Sequence, residues 1–85
     1  MKHATAAALD RLTGLIADIG QFELVREKSR GVFYLRSKAF LHFHEDPAGL
    51  FADVRTGSDW QRLPVNTKAD QAKLLRLVRH HMAAS

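Results

Sequence analysis

The chain has 85 residues, 46% hydrophobic and 26% charged, which is the composition of one small folded domain with a single modest core. It has no cysteine, so disulfides, thiolate metal sites and a cysteine nucleophile are excluded. Thirteen basic residues against nine acidic ones give a formal charge of +4, a bias that permits an anionic partner without requiring one.

The alanine-rich start is interrupted by Asp10 and Arg11, too polar for a signal-peptide core or a membrane span, so a cytoplasmic domain with no membrane partner is expected. Leu9, Leu12, Ile16 and Ile19 recur at three- and four-residue spacing. On a helical wheel they fall within roughly 80° of one another, with Ala8 and Leu15 alongside, which predicts one amphipathic helix. Asp10, Arg11, Thr13 and Asp18 point away. Gly14 weakens the helix by roughly 1 kcal/mol relative to alanine, and Gly20 fits a left-handed C-terminal cap.

A strand-rich middle follows. Residues 22–27 alternate, 28–31 make a turn, and 32–36 are β-branched and aromatic enough for a second strand. After a tight connection at Ser37 and Lys38, residues 39–44 form a third strand. Asp46-Pro-Ala-Gly49 turns the chain into a fourth over 50–55, since proline presets an early turn position and glycine tolerates the late one. Thr56-Gly-Ser-Asp59 leads to a fifth strand over 60–65, placed at an edge by Pro64. The last element is a helix capped by Asn66 or Thr67. Thr67 and Asp70 form a shortened capping box. Leu74, Leu75, Val78 and Met82 form its buried stripe, and Lys73, Arg76 and His80 face away. Arg79, His80 and His81 suit the negative end of the helix dipole. The reading is a single α+β domain over 1–85: a five-stranded antiparallel sheet flanked by N- and C-terminal helices, in the order α-β-β-β-β-β-α.

Taking 46–49 as a four-residue loop pairs Leu41 with Val54 and Phe43 with Ala52 on one apolar face. A slip of one residue spoils that set. The same register pairs His42 with Asp53, His44 with Phe51 and Phe40 with Arg55 on the other face. The next turn pairs Arg55 with Trp60, Asp53 with Arg62, and Ala52 with Leu63, with Gln61 opposite Val54 as a misfit. The first hairpin stays open: a two-residue connection sends Phe33 and Leu35 to the histidine face, a three-residue one Val32 and Tyr34. The second face thus collects Phe40, His42, His44, Phe51, Asp53, Arg55, Trp60 and Arg62, more apolar area than a solvated sheet face needs.

The run Lys38-Ala-Phe-Leu-His-Phe-His-Glu-Asp-Pro-Ala-Gly-Leu-Phe-Ala-Asp-Val, followed by a tryptophan-containing hairpin and an amphipathic helix, resembles small bacterial α/β domains of the MmcQ/YjbR and "luciferase domain" families. The resemblance spans Gly31 to about Met82. It implies an α/β domain of a kind mostly without assigned function, some of them compared with winged DNA-binding folds. It carries no catalytic signature and transfers no site residue.

The second face admits several chemistries. Phe40, Phe51 and Trp60 offer stacking surfaces for single-stranded nucleic acid, and Arg36, Lys38, Arg55 and Arg62 offer charge to phosphates. The plainer alternative has Arg55 and Arg62 neutralising Asp53, with Trp60 under Arg55 as a cation–π pair. His42, His44 and Asp53 could ligate a metal ion, because histidines two apart on a strand point the same way. The same aromatics and arginines suit a homodimer interface. No nucleophile accompanies the histidines, since Thr56 and Ser58 are explained by turn chemistry. The expectation is a non-enzymatic binding module with no cofactor, first for nucleic acid through this face. The alternatives are a small-molecule or metal site centred on His42, His44 and Asp53, or a structural homodimer.

Overall fold

In the computed structural model, which describes residues 2–84, the domain is an open antiparallel sheet with helices from both ends of the chain. A two-residue strand, β1 (Lys2–His3), comes first, with α1 (Ala6–Asp10) and α2 (Thr13–Gly20) after it. The five-stranded meander is β2 (Val25–Ser29), β3 (Val32–Leu35), β4 (Lys38–Asp46), β5 (Gly49–Arg55) and β6 (Trp60–Pro64), and α3 (Lys68–Ala84) closes the chain. The strand order is β2-β3-β4-β5-β6, and β1 pairs with the far end of β4.

The expected first helix is two. The break falls where Arg11 and Leu12 donate to the carbonyls three residues back, those of Ala8 and Leu9. The Thr13 hydroxyl then donates to the Asp10 carbonyl at 2.9 Å, the acceptor a continuous helix would give to Gly14. The kink keeps Ala8, Leu12, Leu15, Ile16 and Ile19 all buried. Gly20 is not a left-handed cap: it lies inside α2, and Gln21 ends the helix at φ −75°. Successive turns carry the chain on, Phe22 N–H donating to Ile19 O and Val25 N–H to Phe22 O, so β2 begins at Val25 and not at Phe22.

From Leu41 onward the sheet keeps the register that alternation predicts. Leu41 faces Val54, His42 faces Asp53, Phe43 faces Ala52 and His44 faces Phe51. Ala52 faces Leu63, Asp53 faces Arg62, Val54 faces Gln61 and Arg55 faces Trp60. The β4–β5 loop is tighter than expected, because pairing continues to Asp46 opposite Gly49. Gly49 adopts φ 135°, and a Cβ there would meet the Asn66 side chain at 2.6 Å. That side chain accepts the Leu50 N–H at 2.8 Å.

The first hairpin departs from the expected pattern. Its link is Arg36-Ser37, both at positive φ (53° and 69°), and the register shifts between Phe33 opposite Leu41 and Tyr34 opposite Ala39. Phe40 is the extra residue. A bulge re-aims its side chain, so Phe40 does not join the histidine face opposite Arg55. It is 2% exposed, part of the core, and stacks on His81 of α3 with ring centroids 5.6 Å apart. The same shift puts Phe33 in the core and Val32 opposite His42.

The expected cap of α3 forms. Asp70 Oδ2 accepts the N–H groups of Asn66 and Thr67, both at 3.1 Å, while Thr67 Oγ1 accepts the Asp70 N–H at 3.0 Å. Leu74 and Val78 are fully buried, Leu75, Leu77 and Met82 pack beside them, and Lys73, Arg76 and His80 are exposed. The core joins these residues to α2 and to the inner sheet face through Phe33, Leu41, Phe43, Ala52, Val54, Leu63 and Val65. Among the described residues no helix is long and apolar enough to cross a membrane.

Candidate metal centre

On β4 successive side chains alternate between faces, so His42 and His44 both leave the core side. His44 faces His3 across the β1–β4 pair, a pairing held further by Ala4 N–H to Phe43 O at 3.1 Å. The Thr5 N–H donates to Glu45 Oε1 at 2.5 Å, a bond that holds the Glu45 carboxyl below its ordinary range. Thr5 also caps α1 by accepting from Ala8. The N-terminal segment is thus tied to β4 on both sides of His3.

Three imidazoles converge as a result. Ring centroids lie 4.7 Å apart for His42 and His44, 4.9 Å for His3 and His44, and 5.7 Å for His3 and His42. One nitrogen of each ring lies within 4.8 Å of the others. Tetrahedral zinc with Zn–N bonds of 2.0–2.1 Å needs nitrogens roughly 3.4 Å apart, so the rings would close in on a bound ion. His42 Nδ1 and His44 Nε2 are shielded from solvent and make no hydrogen bond. Buried polar nitrogens are normally satisfied, so His42 Nδ1 marks a place where a ligand would be favoured, while His44 Nε2 faces Asp53.

Asp53 stands behind the imidazoles. It is 7% exposed, and Arg62 grips it from β6 with Nε to Oδ1 at 2.7 Å and Nη2 to Oδ2 at 2.9 Å. This bidentate pair holds the Asp53 carboxyl below its ordinary range, burial opposing, and raises the Arg62 guanidinium. Asp53 Oδ2 lies 3.1 Å from His44 Nε2, an ion-pair distance whose direction misses hydrogen-bond geometry. Although Asp53 pairs with His42 across the strands, its carboxylate approaches His44 diagonally. Burial, reinforced by His44, His3 and Arg62, lowers the His42 pKa, and Asp53 only partly offsets this. His42 is therefore neutral at pH 7, the form that ligates metals.

Of the residues expected on this face, His42, His44, Phe51, Asp53, Trp60 and Arg62 come together, with Arg55 at the margin and Phe40 in the core. Trp60, 41% exposed, shields His42 with centroids 4.9 Å apart. Arg55 lies 4.9 Å over the Trp60 ring and donates from Nη2 to Ala39 O at 2.5 Å. The stacking platform is thus reduced: Phe40 is absent from it, and Arg62 is committed to Asp53. The residue that sequence reasoning missed is His3. A two-residue strand has no periodicity to read, and only its pairing with β4 brings His3 to the site.

Comparison with protein-family models, curated proteins and solved structures finds no match to this chain.

Proposed function

We propose that this domain binds a divalent transition-metal ion through His3, His42 and His44, as a binding module and not an enzyme. The observation that carries the reading is the convergence of three imidazoles, with His42 Nδ1 buried and without a hydrogen bond. Three imidazoles without thiolate suit borderline ions such as Zn²⁺, Cu²⁺ and Ni²⁺ and not Mg²⁺ or Ca²⁺, which take oxygen ligands. Asp53 is a positioning residue. Fixed by Arg62, it lies against His44 and orients that ring, as carboxylates commonly do behind metal-ligating histidines. Thr56 and Ser58 belong to the segment linking β5 and β6.

Zinc titration of metal-stripped protein, followed by calorimetry and by the imidazole resonances, tests this. The expected result is one ion per chain, with shifts on His3, His42 and His44 and none on His80. His3→Ala weakens binding at least tenfold. Zinc binding that survives His3→Ala and His44→Ala unchanged, or shifts confined to His80 and His81, overturns the proposal.

A further inference from the structure

A cleft of about 320 Å³ lies at the β3–β4 end of the sheet, lined by none of the three converging histidines. Leu35 and Phe40 supply its apolar wall, and Arg36, Lys38, Arg55 and His81 supply nitrogen donors. Among the described residues no carboxylate lines it. We propose that this cleft binds a small phosphate-bearing molecule, with the phosphate held by Arg36, Lys38 and Arg55.

Three observations converge on that assignment. Arg55 is placed in advance, since one Nη2–H is spent on Ala39 O and its guanidinium rests over Trp60, while its remaining donors are left for a ligand. The second concerns the turn that delivers Arg36 and Lys38. Two-residue hairpin links with positive φ at both positions favour Asn-Gly, Asp-Gly or Gly-Gly. Here the link is Arg36-Ser37, at φ 53° and 69°. A long side chain in the left-handed region carries a conformational cost, and such costs cluster at functional sites. What is obtained for that cost is a cation on the rim of the cleft, two residues before a second one. Finally, His81 stacks on Phe40 and closes the helix side. It lies in the last turn of α3, whose carbonyls carry partial negative charge. The phosphate therefore sits toward Arg36, Lys38 and Arg55, and the rest of the ligand extends along Phe40 and His81. The volume matches the lower end of small-molecule sites.

The bulge at Phe40 links this cleft to the metal reading only by geography: the two sites share no residue and are tested separately. Amide resonances are followed during titration with inorganic phosphate, with adenosine monophosphate and with a short single-stranded oligonucleotide, each at matched ionic strength in sodium chloride. Saturable shifts on Arg36, Lys38, Arg55 and Gly57 with phosphate and with the nucleotide are expected, the nucleotide binding more tightly. Lys38→Glu is expected to lower nucleotide affinity at least tenfold. Arg36→Gly separates binding from folding, because glycine relaxes the turn while removing the cation: affinity falls about tenfold and the urea midpoint stays level or rises. Wild-type nucleotide affinity in Arg36→Gly overturns the proposal, as do shifts that sodium chloride alone reproduces. Binding of the oligonucleotide without the mononucleotide or phosphate overturns it in favour of a polymer surface.

Discussion

The two faces of the β4–β5 hairpin are written by alternate residues of the same eighteen-residue run and have opposite character. One face carries Leu41, Phe43, Ala52 and Val54, each buried under the helices. The other carries His42, His44, Asp53 and, across the sheet, Arg62, without a helical layer above them. On the inner face apolar area removed from water does the stabilising, and geometry is forgiving as long as volume is kept. On the outer face partial burial is tolerated only because the charges are matched: Asp53 is gripped by Arg62, and His42 responds to its surroundings by staying neutral. The inner face explains why the domain folds. The outer face holds the chemistry.

The sharpest way to break this contrast is Phe33→Ala. Phe33 is wholly buried, and the substitution is expected to cost about 3–5 kcal/mol in urea unfolding. Zinc affinity per folded molecule should change little. Asp53→Ala acts on the other face. It removes the Arg62 pair, whose arginine end is half in solvent, and should cost about 1 kcal/mol while also weakening zinc binding through a looser His44. A cost as large as that of Phe33→Ala would mean that Asp53 belongs to the core economy and not to the site.

Acid supplies a smaller and graded probe. The folded state lowers the pKa of His42, so protons bind the unfolded chain more readily. Its contribution to stability is complete above the ordinary imidazole value, about 6.5, and declines as pH falls from there through the lower folded value. Asp53, also lowered, contributes above the ordinary carboxylate value, about 3.9, and that contribution is lost as pH falls through the folded one. His42→Gln should therefore flatten the stability difference between pH 7.5 and 5.5 in urea titrations, leaving the steeper loss near pH 3 to Asp53. The smallest expected effect is that of Trp60→Ala. It removes a cation–π contact worth about 0.5–1 kcal/mol and opens His42 to water. By NMR titration the His42 pKa should then climb back toward its ordinary value, and no movement would show that Trp60 is not what shields it.

Much of the frame was legible. The pairing of β4, β5 and β6 follows from alternation bounded by Asp46-Pro-Ala-Gly49 and Thr56-Gly-Ser-Asp59, and the α3 cap from Thr67 and Asp70. Both rest on local signals that tertiary contacts reinforce. The candidate site was legible in part: His42, His44, Asp53, Trp60 and Arg62 share a face for that reason. The break between α1 and α2 was not, because the hydrophobic wheel reads the same for one helix or two and a threonine hydroxyl decides the matter. Nor was the inward turn of Phe40, since a bulge displaces one residue without altering composition or period.

By itself, then, the order of residues determined the α+β class, the sheet register from Leu41 onward and the identity of the open face, because period and turn chemistry act over a few neighbours. Tertiary structure alone decided that His3 meets His44, that Asp53 approaches His44 and not His42, and that Phe40 packs under His81. Those contacts join residues far apart in the chain or shifted by a bulge. Their geometry depends on how the whole sheet twists and closes, which no local pattern encodes.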